Sequence, residues 1–217
     1  MISISGIKYQ RELEKLPYFT KQAAGLLLGK EGKNLDWKLS QLIKKGYLIR
    51  LRNGLYVGET FLTSEVEKEG YFEHLANILR SPSYLSLEYV LAKNGLIPEG
   101  VNLFTSITLK SSRVYTNKFG SFVYKNIKEG LFAGFGTERK GVYSIKIASK
   151  AKALFDFLYL KRNFDYTKKE EIERGLRINW DNFLLTDVEE FKKYVLLSKS
   201  EKMTIIFKNI MEIKNVT

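Results

Sequence analysis

The sequence predicts an α+β fold in two parts, and three observations support this. Residues 1–60 show three short helical patterns followed by a hairpin signal, and residues 101–147 show β-branched segments separated by turns. Helical periodicity then resumes from Ser149 to the end. Residues 59–70 are polar and acidic without a clear period, so we predict a linker there and two domains, residues 1–60 and residues 61–217.

The first domain is predicted to begin with three helices. The first covers Ile7–Leu16 and ends before Pro17, and the second, Lys21–Leu28, is capped by Thr20 and stopped by Gly29. The third starts at Asn34 as its N-cap and ends at Gly46. Its buried stripe is given by four residues at helical spacing: Leu35, Leu39, Leu42 and Ile43.

A hairpin follows the third helix at once. Asn53-Gly54 between two apolar runs is the strongest short hairpin signal, because both residues tolerate positive φ. Pairing Arg52 with Leu55 places Ile49, Leu51 and Tyr56 on one face and Arg50 and Arg52 on the other. The order of helix, helix, turn, helix and hairpin is that of a winged helix-turn-helix domain.

Positive charge is concentrated on this helix and hairpin. Between Trp37 and Gly58 there are five basic residues and no acidic one. The pattern favours double-stranded DNA as the partner over the alternative of a solvated basic face. The residues predicted to face bases are Trp37, Lys38 and Gln41. Those predicted to contact phosphates or form the wing are Lys44, Lys45, Arg50, Arg52 and Asn53.

The second domain is predicted to hold a mostly antiparallel sheet, because its strands are short and joined by short turns. The strand segments are Val101–Leu109, Arg113–Thr116, Ser121–Ile127, Leu131–Phe135 and Val142–Ile147. A second acid-free basic stretch lies here, and it could face a toxin or another anion, or could be a solvated sheet face. Its bases are Lys110, Arg113, Lys118, Lys125 and Lys128.

The C-terminal part is predicted to be helical. A helix over Lys150–Lys161, capped by Ser149, is apolar nearly all round and should be buried against the sheet. Two capping-box spacings start further helices in the tail, and a last helix should cover Glu201–Ile213. The two boxes pair Thr167 with Glu170 and Thr186 with Glu189.

Composition limits the remaining functions. The net charge is +12, and residues 1–60 hold 11 basic against 5 acidic side chains, so an anionic partner is expected. The absence of cysteine excludes disulfides and cysteine-ligated zinc. His74 is the single histidine, which argues against a multi-histidine metal site. No signal peptide or membrane span is apparent, so we expect a cytoplasmic protein without cofactor, metal or catalysis.

Three segments resemble the AbiEi family, antitoxins and transcriptional regulators of abortive-infection, type IV toxin–antitoxin systems used in phage defence. They are LSQLIKKGYLIRLRNGLYV (Leu39–Val57), PSYLSLEYVLAKNGLIPE (Pro82–Glu99) and IASKAKALFDFLYL (Ile147–Leu160). The resemblance implies repression of the protein's own operon through inverted repeats, with dimeric or cooperative binding compatible with such sites. It also implies neutralisation of a nucleotidyltransferase toxin, without requiring a stable complex.

Two alternatives to the antitoxin interpretation are open from the sequence. One is a winged-helix regulator whose second domain senses a small ligand and has no toxin partner. The other is a metal-dependent nuclease that uses Asp156 and a glutamate, because Asp156 is an acid inside an apolar helix. A buried carboxylate is more often structural, and we favour that role for Asp156.

Overall fold

The computed structural model describes residues 4–98 and 103–215, with side chains from Tyr9 onward. The chain divides into two compact units. Unit 1 contains Met1–Lys68 together with Tyr115–Phe119, and unit 2 contains Glu69–Val114 together with Gly120–Thr217. Both α-helices and β-strands occur in each unit, as expected for an α+β protein.

Unit 1 has the predicted three helices and hairpin, with a two-residue strand before the second helix. In chain order its elements are α1 (Ile4–Glu14), β1 (Phe19–Thr20), α2 (Lys21–Leu28), α3 (Gly32–Lys44), β2 (Leu48–Arg52), β3 (Leu55–Gly58) and α4 (Glu59–Ser64). The strands form an antiparallel sheet in the order β1-β3-β2. Helix α4 occupies the first half of the stretch predicted as a linker.

Local signals set the limits of α2. The Thr20 hydroxyl accepts the Ala23 N–H at 3.1 Å, and Gly29 ends the helix at φ 60°. Helix α3 begins three residues earlier than predicted, with Glu31 as N-cap, so Asn34 lies inside the helix and not at its cap. Gly46 follows α3 at φ 78°, the left-handed conformation predicted for it.

The core of unit 1 forms where α3 packs against the other helices and the sheet. Leu35, Leu39 and Leu42 are buried as predicted, while Ile43 is half-buried beside them. They share one cluster with buried residues from α1, α2 and all three strands: Leu13, Phe19, Ala24, Leu48 and Tyr56. This packing fixes which face of α3 remains exposed.

The hairpin contains a β-bulge that the sequence pattern did not predict. Arg52 pairs with Leu55 as predicted, but the register shifts between Arg50 and Arg52, so Leu51 is the extra residue. As a result Leu48 and Leu51, three positions apart, are both buried, whereas Ile49 is only half-buried. The prediction that Ile49 shares a face with Leu51 assumed that side chains alternate strictly along the strand, and the bulge interrupts this alternation.

Unit 2 is built on a sheet that has six strands among the described residues, in the order β6-β7-β5-β4-β9-β8. Its elements are α5 (Lys68–Leu79), β4 (Ser83–Leu85), α6 (Glu88–Lys93), β5 (Leu103–Thr108), β6 (Arg113–Asn117), β7 (Gly120–Asn126), β8 (Phe135–Lys140), β9 (Tyr143–Ala148), α7 (Lys150–Leu160), α8 (Leu185–Ser198) and α9 (Glu201–Ile213). The last three residues of β6 are assigned to unit 1. Residues 101–102 of the predicted strand Val101–Leu109 lie outside the described residues.

The sheet is mixed, so the prediction of a mostly antiparallel sheet holds for only part of it. Strand β4 runs antiparallel to β5 but parallel to β9, and β7 runs parallel to β5. Strand β7 lies between β6 and β5 in the sheet. Its neighbour β5 comes two strands earlier in the chain, and the two strands run in the same direction. The pair of β8 and β9 is antiparallel.

Two strands of this sheet differ from the sequence prediction. Strand β4 was not predicted, because its three buried residues are too few to show a period. Leu131–Phe135, predicted as a strand, forms the end of a 3₁₀ turn and a loop, and the strand begins only at Phe135. The charged segment Gly136–Lys140, which lies between two predicted strands, belongs to the exposed strand β8.

Helices cover both faces of this sheet. Helix α5 lies on one face, where the Tyr124 hydroxyl of β7 donates to the Ala76 carbonyl at 2.6 Å. Helix α7 lies on the other face and is almost completely buried there, as its composition predicts. The Ser149 hydroxyl caps α7 by accepting the Lys152 N–H.

The tail is helical, but two of its starts differ from the prediction. Thr167 does not cap a helix, because its hydroxyl donates to Asp165 and the helical turn runs from Glu171 to Gly175. Helix α8 begins at Leu185, and the Asp187 carboxylate accepts the Leu184 N–H, so Thr186 lies within the first turn. Helix α9 has the predicted limits.

Candidate nucleic-acid interface

The exposed face of α3 lies opposite its buried leucines. At 100° per residue, Lys33, Trp37, Ser40 and Lys44 fall on one stripe, and all four are exposed. Gln41 borders this stripe and is half-exposed. The Trp37 side chain is 65 % exposed, which is a large apolar area for a position at the centre of a helix face. Lys33 and Ser40 were not among the predicted contacts, and the earlier start of α3 is what brings Lys33 onto the stripe.

The flanks of this face carry groups that already have partners. Lys38 lies on the side of α3 toward α1, and its ammonium donates to the Gln10 amide oxygen at 3.2 Å. Asp36 forms an ion pair with Lys21 at 2.6 Å, so the one acid near the stripe is neutralised within unit 1. The exposed face of α3 is therefore cationic at both of its ends.

The hairpin presents two of its predicted residues to solvent. Arg50 is exposed on β2, and Asn53 is exposed at the tip. Arg52 is half-buried and donates through Nη1 to the Asn53 carbonyl at 3.0 Å, so it supports the tip from inside. Lys45 is exposed at the C-terminal end of α3.

Four of the cations on α3 and the hairpin have no polar partner among the described residues. In the described part of the chain, the side chains of Lys33, Lys44, Lys45 and Arg50 have no hydrogen bond or ion pair. They project from one helix and the strand that directly follows it. Exposed, unpaired cations at this spacing can neutralise the phosphates of a nucleic acid without first breaking an internal ion pair.

The structure divides the second basic stretch. Lys118 belongs to unit 1, where it forms an ion pair with Glu59 at 2.9 Å. The other four, Lys110, Arg113, Lys125 and Lys128, belong to unit 2, and each is exposed. Lys125 lies on β7 opposite Ile107 of β5, so it projects from the sheet face that α7 covers.

A buried ion pair holds α7 to the centre of the sheet. Asp156 and Lys152 are fully buried, 2.5 Å apart, and the Asp156 carboxylate also accepts hydrogen bonds from the hydroxyls of Tyr84 on β4 and of Ser86 directly after it. Burial raises the pKa of Asp156 and lowers that of Lys152, while their attraction opposes both changes. The Lys152 ammonium also lies 5.0 Å from the centre of the Phe155 ring. Because the carboxylate is saturated by protein donors, its surroundings favour the structural role.

A second buried carboxylate ties α5 to α6 and β8. Glu73 is fully buried and contacts the Lys93 ammonium at 2.7 Å, the Lys140 ammonium at 2.9 Å and the Tyr89 hydroxyl at 2.7 Å. Burial by itself would raise the pKa of Glu73, but these three donors outweigh it and hold the pKa below its ordinary value. The next residue, His74, contacts the Ser144 carbonyl through Nδ1 at 2.7 Å, which is a structural contact.

The described residues contain neither a metal-binding cluster nor a membrane-spanning helix. No group of three or more histidine, aspartate or glutamate side chains there is arranged to hold a metal ion. Within the same residues, none of the helices combines the length and the apolar character required to span a bilayer.

Comparison with models of known protein families gave no match, and neither did comparison with curated proteins. The resemblance to the AbiEi family therefore remains a prediction from the three sequence segments.

Proposed function

We propose that unit 1 is a winged helix-turn-helix domain that binds double-stranded DNA. The observation on which this rests is the exposed cationic stripe of α3, which continues into a hairpin with Arg50 projecting from it. The order of three helices and a three-stranded sheet with β1 at its edge supports the same domain type. A helix with one face free of the core has the dimensions to enter the major groove.

Each part of the surface has a separate role in this proposal. Trp37, Ser40 and Gln41 face the base edges from the middle of α3. Lys33, Lys44 and Lys45, at the two ends of the helix, contact phosphates on either side of the groove. Arg50 and Asn53 of the hairpin reach the neighbouring backbone or minor groove. Lys38 and Arg52 act indirectly, since their side chains are bound to Gln10 and to the hairpin tip.

We further propose that the protein is an antitoxin that represses its own operon and neutralises a nucleotidyltransferase toxin. This rests on the family resemblance, two of whose segments form β4 with α6 and the buried helix α7 of unit 2. The four exposed bases of unit 2, Lys110, Arg113, Lys125 and Lys128, are the surface we assign to neutralisation.

The DNA proposal is tested with the full-length protein and its promoter fragment. Changing Lys44 and Arg50 together to Ala should weaken binding at least tenfold, because two phosphate contacts are lost. The matched control removes two exposed charges from α8, through Lys192→Ala and Lys193→Ala, and should bind nearly as well as the natural protein. Equal losses in both double variants would mean that α3 and the hairpin are not the interface.

The antitoxin proposal is tested by growth rescue beside a promoter reporter. Full-length protein should restore growth to cells expressing the nucleotidyltransferase encoded next to it. The Lys44→Ala, Arg50→Ala variant should lose repression but keep rescue, and charge reversal of the four unit 2 bases should do the opposite. The absence of a neighbouring nucleotidyltransferase gene would contradict the antitoxin role and favour the ligand-sensing regulator.

A further inference from the structure

Trp37 is a large apolar side chain on the exposed face of α3. Its indole is 65 % exposed and contacts neither the core cluster nor another ring in the described part of the chain. A tryptophan at this position leaves a large apolar surface in water, which is unfavourable for the free protein. A partner that covers this indole would recover that free energy.

The surroundings of Trp37 indicate what the partner presents. Lys33 lies one turn before it and Lys44 two turns after it on the same stripe, and Ser40 lies between. An apolar side chain with a lysine on either side of it is complementary to a polyanion that carries small apolar groups between its charges. The major groove of DNA has this character, because the C5 methyl of thymine is its exposed apolar group between two phosphate backbones.

Gln41 adds the complementary chemistry. It lies one turn after Trp37 at the edge of the same exposed face, and its amide makes no hydrogen bond within the described residues. A glutamine amide matches the N6 and N7 edge of adenine, with which thymine pairs. Trp37 and Gln41, on adjacent turns of one helix, can therefore contact the thymine and the adenine of A·T pairs.

We propose that Trp37 determines specificity for thymine, with its indole packed on thymine C5 methyl groups while Gln41 pairs with an adenine edge. This inference rests on the proposed binding of DNA by α3 and names the bases that the helix reads. Trp37 acts here through apolar contact alone, so its role is separable from the phosphate contacts of Lys44 and Arg50.

The experiment compares thymine with uracil, which lacks only the methyl group. The full-length protein first selects duplexes of about 20 base pairs, two helical turns, from a random library. Each thymine of the selected duplex is then replaced singly by uracil, and affinity is measured for the natural protein, Trp37→Ala and Leu26→Ala. Leu26 is a matched control, because it is an exposed apolar residue of α2 at 81 % exposure.

For the natural protein, uracil at a contacted position should weaken binding about fourfold, the value of one buried methyl group. Trp37→Ala should bind the thymine and uracil duplexes equally, whereas Leu26→Ala should keep the fourfold difference. Comparing the uracil effect between variants cancels any change in DNA stiffness caused by uracil.

Three results would overturn the inference. They are a uracil effect of equal size in Trp37→Ala, the lack of any uracil effect in the natural protein, and a selected sequence without A·T pairs. In each case DNA binding itself would stand. Failure to select any duplex would overturn the inference together with the proposed function.

Discussion

At the scale of residues, Gly58 lies so close to the backbone of unit 1 that no side chain fits at its position. A Cβ at this position would lie 1.9 Å from the Glu14 carbonyl oxygen, although φ is an ordinary −80°. Its N–H donates to the Leu16 carbonyl at 3.3 Å, so the end of β3 lies directly against the segment after α1. Space, and not backbone conformation, requires glycine here.

We expect Gly58→Ala to lower the free energy of unfolding by about 2 kcal/mol or more, because backbone must move away from the new methyl group. Gly136→Ala is the control, since a Cβ there meets no atom within 4 Å. Urea denaturation of both variants measures the difference. A change at Gly58 no larger than that at Gly136 would show that the contact relaxes freely.

Glu73 makes the folding stability of unit 2 depend on pH in the acidic range. Its pKa in the folded protein lies below its value in the unfolded chain, so in acid the unfolded chain binds more protons. The stabilisation by Glu73 is therefore complete above about pH 4.5, its ordinary pKa, and is lost progressively as the pH falls below that value toward the folded pKa.

We expect Glu73→Gln to lower the melting temperature at pH 7, because Lys93 and Lys140 lose their buried partner. The same change should flatten the acid side of the stability curve. Melting temperatures measured from pH 7 to pH 3 test this, with exposed Glu201→Gln of α9 as the control. If the melting temperature of Glu73→Gln falls as steeply with decreasing pH as that of the natural protein, other carboxylates cause the pH dependence.

At the scale of elements, α7 contains a buried ion pair whose carboxylate also accepts a hydrogen bond from Tyr84 of β4. Removing one member of a buried pair leaves the other charge without compensation, which typically costs about 3–5 kcal/mol. Replacing both members by apolar residues of similar volume removes the desolvation penalty along with the attraction. The pair Lys152–Asp156 therefore need not add net stability.

We accordingly expect Asp156→Ala to destabilise the protein by about 3–5 kcal/mol, and the double variant Lys152→Met, Asp156→Leu to be more stable than that single variant. Chemical denaturation of the three proteins gives the comparison. A double variant no more stable than Asp156→Ala would contradict this and would mean that the unpaired Lys152 charge is not what destabilises the single variant.

At the scale of the whole molecule, the net charge of +12 makes salt a sensitive probe of DNA binding. If about six phosphates are neutralised, the logarithm of the binding constant should fall against the logarithm of salt concentration with a slope near −5. Loss of Lys44 and Arg50 should reduce the slope by about 2, while loss of Lys192 and Lys193 should leave it unchanged. A slope near zero for the natural protein would contradict a phosphate-contacting interface.

The sequence by itself determined the elements whose causes are local. Thr20, Gly29, Gly46 and Ser149 mark ends of α2, α3 and α7 because capping and left-handed φ depend on the residue and its nearest neighbours. The Asn53-Gly54 turn fixed the pairing of Arg52 with Leu55 for the same reason. The exposure of Trp37, Lys44 and Arg50 followed from helical and strand periodicity around a buried stripe.

Only the tertiary structure decided what depends on distant parts of the chain. The parallel pairings of β7 and β9 arise from the order in which strands join the sheet, and no local pattern encodes that order. Lys38 bonds to Gln10 and Asp156 to β4 because packing brings together residues 28 and about 70 positions apart. Side-chain partners across such distances depend on the complete fold, since loop closure and burial select them after the local elements have formed.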